Sequence, residues 1–193
     1  MINILKFTTI MALGSSLLLA APSAKKDAEL KSVIKIGDRG SKLLLKTLGK
    51  NMKARLTDGG IMKALDFCSN EAFSLTENVN KKLPNGVRVK RISSKFRSPA
   101  NKASKKELEI LASFEKMQDM NVILPKYLVE KVSNHTYKYY KPLVIKKKVC
   151  LQCHGNLKDI ELKRAIASRY PIDNALGYKI GDLRGAVVVT IEK

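Results

Sequence analysis

The 193-residue chain has three cysteines and two histidines, and three of those five residues stand together in Val149-Cys150-Leu151-Gln152-Cys153-His154-Gly155. Two thiols three apart, followed at once by an imidazole, suit three chemistries. They can form a redox-active disulfide, supply half of a zinc site, or add across the two vinyl groups of a haem whose iron then takes the histidine. Two surface thiols with no role are a fourth reading, disfavoured in an exported protein because exposed thiols oxidise there.

The amino terminus decides where the chain must live. Met1 to Lys6 is a short positive start, an apolar run follows from Phe7 to Ala20, and Ala21-Pro22-Ser23-Ala24 precedes Lys25-Lys26. This pattern reads as a secretory signal peptide over residues 1–24, cut between Ala20 and Ala24, with an uncleaved membrane anchor as the lesser alternative. The run is shorter than the roughly 20 apolar residues a spanning helix needs. No cysteine follows it, so a lipid anchor is not expected. Residues 25–193 are then expected to form one exported, periplasmic domain, and 45% hydrophobic residues suit a packed core.

Export weighs the chemistries. A structural zinc wants four ligands, and outside the motif only Cys68 and His135 are good soft donors. A thioredoxin-like pair sits in a βαβ unit, and no such alternation surrounds Cys150. Haem needs neither: attachment consumes Cys150 and Cys153 and leaves His154 as proximal ligand. One covalent c-type haem is the expected cofactor.

The elements that must position the motif follow from periodicity. Residues 28–56 carry apolar positions three and four apart, an amphipathic helix broken near Gly37, and a second helical pattern runs from about Gly60 to Lys81. Leu83-Pro84-Asn85-Gly86 is a turn, and Val87 to Ile92 alternates as a half-buried strand. Helix returns over 104–132, opened by a Ser104/Glu107 capping box and stopped or kinked near Leu124 by Pro125. Thr136–Tyr140, Pro142–Ile145 and Gly185–Ile191 are β-rich, with turn residues from Gly177 to Gly185. Val187, Val189 and Ile191 should share one face of the last strand. Helices lead and strands finish, so the expected class is α+β: a small antiparallel sheet flanked by long N-terminal helices.

Charge narrows the partners. The chain carries 37 Lys and Arg against 17 Asp and Glu, a formal net charge of +20, spread along its length. Acidic redox or signalling proteins and anionic phospholipid surfaces are candidate partners, and a solvated lysine-rich surface is an equal reading. Nucleic acid is not expected, since the chain is read as exported and shows no binding motif for it. Once Cys150 and Cys153 are used, Cys68 is an odd thiol: an intermolecular bridge, an inert core residue, or a ligand. His135, Met117 and Met120 are further candidates for a distal iron ligand.

Several segments together carry a family likeness. Phe67-Cys68-Ser69, Val87 to Ile92 with Lys95-Phe-Arg-Ser-Pro-Ala-Asn101, Cys150 to Gly155, and Tyr170 to Tyr178 leading into Gly181–Ala186 resemble the exported single-haem c-type proteins with a PAS-like fold, over about residues 45–193. Members of that family also occur as input domains of bacterial sensor kinases. The resemblance implies a PAS-like sheet and implies that Cys68 binds the iron opposite His154. It places Arg97 and Arg184 in matched motifs, as guesses for contacts to the haem propionates. It implies a module that senses redox poise or a diatomic gas, with a small periplasmic electron-transfer cytochrome as the alternative. An enzyme is not expected, because a haem with both axial positions filled has no open site and no paired carboxylates lie near the motif.

Overall fold

The computed structural model describes residues 22–193; residues 1–21, with nearly all of the expected signal peptide, lie outside the described residues. The described part begins as one long helix, α1 (Pro22–Asp66), passes through a single π-helical turn at Phe67–Glu71, and continues as α2 (Ala72–Asn80). The strand β1 (Val87–Ile92), a 3-10 turn at Pro99–Asn101 and the helix α3 (Lys105–Asp119) follow. Next come β2 (Leu128–Lys131), β3 (Thr136–Val144), the short helix α4 (Lys148–His154), α5 (Ile160–Arg169) and the closing strand β4 (Leu183–Glu192). Among the described residues no helix is long and apolar enough to cross a membrane.

The four strands form one antiparallel sheet in the order β1-β4-β3-β2. The expected α+β class holds. β4 is interior, and its sequence Leu-Arg-Gly-Ala-Val-Val-Val-Thr-Ile-Glu is apolar at consecutive positions because helices cover both faces. Val187, Val189 and Ile191 point to one face, as alternation requires, and pack with Val33, Leu44 and Leu48 of α1 and with Tyr137 and Tyr139. Ala186 and Val188 point to the other, against Leu111 and Phe114 of α3. The α3 face is also tied by charge. The fully buried Glu107 carboxylate caps the helix at the Ser104 amide and pairs with Lys90 of β1 and Lys138 of β3 at 2.9 and 3.3 Å.

Four features differ from expectation. Gly37 does not break α1: it is buried in the helix, and its missing side chain is the notch into which the Tyr139 ring packs. The break at Gly59 and Gly60, where Gly60 takes φ +69°, falls where the two expected helical patterns meet, between residue 56 and about Gly60. α3 stops at Asp119, well before Pro125, because Asn121 adopts the left-handed conformation (φ +56°). There the Val122 and Asn121 amides donate to the Met117 and Gln118 carbonyls at 2.8 Å each, a Schellman closure with asparagine in the glycine position. The segment beyond, expected to be helical, contains the edge strand β2. The helix α5 was not expected at all.

The Gly37 notch gives a test. Alanine is favoured over glycine in an open helix by about 1 kcal/mol, but a methyl group here enters the fully buried Tyr139 ring. Overpacking of a core costs about 1–3 kcal/mol. Gly37→Ala should therefore lower the midpoint of denaturant unfolding, whereas Gly49→Ala, with nothing within 4 Å of the added atom, should raise it.

Candidate functional site

β3 delivers the chain to the motif. After Val144 the backbone turns at Ile145, whose amide donates to the Asp182 carbonyl at 2.9 Å, and α4 begins with Lys147 as its cap. Cys150 and Cys153 lie three apart on this single helix and so share a face; His154, four beyond Cys150, closes the same stripe. All three side chains are half-buried, and both thiols are free. Gly155 ends the helix, its amide donating to the Leu151 carbonyl at 2.9 Å. A Cβ at Gly155 would sit 2.8 Å from that carbonyl oxygen, so only glycine lets the chain turn this closely.

The loop from Asp173 to Tyr178 clamps the end of α4. The Tyr178 amide donates to the His154 carbonyl at 2.9 Å and the Gly177 amide to the Gly155 carbonyl at 3.2 Å. His154 Nδ1 lies 3.0 Å from the Ala175 carbonyl oxygen. A carbonyl can only accept, so Nδ1 carries the proton and Nε2 keeps its lone pair. Burial, and then the charges of Arg184 and Arg97, push the His154 pKa down to about 3, which leaves the ring neutral at physiological pH.

Arg97 braces this arrangement from beneath. Its Nη2 donates to the Cys153 carbonyl at 2.6 Å and to the Ala175 carbonyl at 3.3 Å, and its Nε to Asp173 Oδ1 at 3.1 Å. Asp173 Oδ2 lies 3.0 Å from Nη2, an ion pair without hydrogen-bond alignment, and both side chains are buried. The same Asp173 Oδ1 accepts from the Ala175 amide at 2.8 Å. One ion pair thus fixes the carbonyl that orients the histidine.

Cys68 arrives from the other end of the chain. It stands in the π-helical turn between α1 and α2, half-buried against the α1-face cluster. Burial pushes its thiol pKa up, against the opposing charges of Arg91 and Arg97. The Cys153 thiol is likewise raised by burial, with the Arg97 charge opposing the rise and the nearness of Cys68 adding to it. The fold therefore gathers Cys68, Cys150, Cys153, His154, Arg97 and Arg184 into one region. Arg184 Nη1 donates to Ser93 Oγ at 2.7 Å and the Lys95 carbonyl at 3.1 Å, with its guanidinium 5.3 Å from the Tyr178 ring centre. His135, Met117 and Met120 are not gathered there. His135 is exposed just before β3, and the nine residues of that strand put about 30 Å between it and α4. Met117 packs with the α3-face cluster across the sheet from Cys68, and Met120 is exposed at the end of α3.

Arg91, Asp173 and Tyr170 belong to this region and were not singled out from the sequence. Arg91 is the most informative. It follows Val87 and Val89 on the inward-facing side of β1, its Nε is enclosed without a hydrogen-bond partner, and it lies near Cys68 and Tyr170. Among the described residues neither Arg91 nor Arg184 is paired with a carboxylate. The signal was present: in Val-Arg-Val-Lys-Arg-Ile, the third position of the apolar side is a cation.

An α+β protein with a clamped C-x-x-C-H helix and a third cysteine brought to it is the class these features define. A family model described as Tll0287-like matches residues 20–192, and the chain belongs to that family. Its fold is similar to the crystal structure of the cyanobacterial heme-protein Tll0287, with a TM-score of 0.57 and 20% identity, over 90% of this chain and 98% of that one. A search of curated proteins returns no match.

Proposed function

We propose that this chain is an exported c-type haem protein whose haem is held by thioethers from Cys150 and Cys153, with His154 Nε2 and Cys68 as the axial ligands. The observation that carries the reading is the His154 contact to the Ala175 carbonyl. It fixes the tautomer and leaves Nε2 free, beside two unpaired thiols on one helical stripe. The region also suits an anionic cofactor. Arg91 and Arg184 are cations without a carboxylate, whereas Arg97 is already neutralised by Asp173. Arg184 and Arg91 are therefore the proposed contacts for the propionates, and Arg97 braces the proximal side. Membership of a family whose solved relative is a heme-protein supports the cofactor. Zinc has less support, because the solved relative of this family is a heme-protein.

Bound here, the haem would supply an iron that changes valence by one electron. The protein's part is to hold a neutral imidazole on one side, a thiol or thiolate on the other, and positive charge at the rim. Cys68 stands in a single π-helical turn, a feature that interrupts regular helical bonding and is frequent at functional sites. That placement supports a redox- or gas-responsive signalling module over a rigid electron carrier, and the four-stranded antiparallel sheet with its flanking helices supports the PAS-like reading. The module acts through another protein and is not itself an enzyme.

Intact mass of the mature protein tests the cofactor. The expected result is a mass greater than the polypeptide by one haem, retained through acid-acetone extraction, with Cys150→Ala leaving one thioether and a poorly matured product. A haem that extracts into acid-acetone, or a mass without it, overturns the proposal.

A further inference from the structure

α1 buries one side on the sheet and turns a uniform charge to solvent on the other. Lys31, Lys35, Arg39, Lys42, Lys46, Lys50 and Lys53 are all exposed. At 100° per residue they fall within about 100° of arc, opposite Val33, Leu44 and Leu48, and at 1.5 Å per residue they extend over about 33 Å. Over Lys31–Lys53 the sole acid is Asp38, at the edge of the stripe, where it is held by Lys42 at 2.6 Å and Lys141 at 3.4 Å. Among the described residues none of the other six cations is paired with a carboxylate.

We propose that this stripe docks the protein flat on an anionic phospholipid surface. A protein partner of the usual kind would be met by aromatic and arginine anchors around an apolar centre, with lysine depleted. Here six of the seven cations are lysines, and the arc they occupy carries no large apolar side chain to insert into a pocket. Lysine is a hydrated point charge on a flexible stem, suited to a diffuse layer of phosphates rather than to one fixed carboxylate. A straight row of such charges on a helix that the sheet holds rigid complements a plane. The inference stands on exposure and charge, and does not depend on the cofactor.

The test is co-sedimentation of the full chain, as its host makes it, with vesicles of phosphatidylcholine alone or with about a third phosphatidylglycerol. Binding to the anionic vesicles should exceed binding to the neutral ones and should fall steeply as salt rises from about 50 to about 300 mM. Changing Lys31, Lys35, Lys46 and Lys50 together to glutamate should weaken that excess at least about a hundredfold. The same change in charge at Lys105, Lys116, Lys126 and Lys163, all exposed elsewhere, should leave it within about threefold. Equal loss in both variants would reduce the effect to net charge and overturn the stripe. So would equal binding to both vesicle types, or no vesicle binding by a chain whose stripe instead captures an acidic protein.

Discussion

With the proposed His154 and Cys68 ligation of a haem, Cys68→Ala is expected to change the electron paramagnetic resonance signal of the ferric protein and to raise its reduction potential. An anionic sulfur favours the ferric over the ferrous metal, because the oxidised iron carries more charge for it to neutralise. Removing the sulfur removes that preference. Axial ligation spans roughly 0.8 V among haem proteins, so the loss of a thiolate should move the midpoint by on the order of 100 mV or more. The variant should fold, since Cys68 lies at the edge of the α1-face cluster rather than among its fully buried members. An unchanged signal and potential would make Cys68 a core residue. No substitute is at hand among the other candidates, because His135 stands at the far end of β3 and Met117 on the opposite face of the sheet.

Arg97→Ala should give the largest loss of stability of any single change at the site. The guanidinium answers the Asp173 carboxylate and the Cys153 and Ala175 carbonyls, all with little access to water. Removing one partner of a buried pair costs about 3–5 kcal/mol, because the other charge stays behind unpaired. For a chain of this length that is a fall of about 6–20 °C in the unfolding midpoint. Asp173→Ala alone should be comparably harmful, yet the double variant should cost less than the two singles together, since neither charge is then stranded. Arg97→Lys should recover only part of the loss, because an ammonium lacks the planar fork that serves a carboxylate and two carbonyls at once. Strict additivity in the double variant would remove the brace from this account.

How much of this could be read in advance depended on whether the signal was local. The capping box of Ser104 and Glu107, the alternation of Val87 to Ile92 and the inward set of Val187, Val189 and Ile191 are each settled within a few residues, and the fold keeps them. The spacing of Cys150, Cys153 and His154 is local in the same way, and α4 sets the three on one stripe. α5 was not, since its ten residues offer only Leu162 and Ile166 as buried apolar anchors. β2 is four residues long and exists through its pairing with β3, a tertiary fact with no period of its own. Gly37 shows the limit most clearly. It is a glycine in a helical run, and only the presence of Tyr139 against it makes it a packing notch rather than a break, whereas the break at Gly59–Gly60 falls where one periodic pattern ends at residue 56 and the next starts at about Gly60.

The Gly59–Gly60 break also divides α1 mechanically. Before it, the helix is a rod seated on the sheet through Val33, Leu44 and Leu48. After it, Ile61 and Leu65 pack with Leu162, Ile166 and Tyr170, and Asp66 is bound by Arg169 of α5 at 2.6 Å. The turn that bears Cys68 stands between the two: Asp66 just before it is bound to α5, while Phe67 and Ala72 are buried in the cluster that seats the rod on the sheet. A shift at Cys68 would therefore be divided, part passing through Asp66 to α5 and part into the seam between rod and sheet.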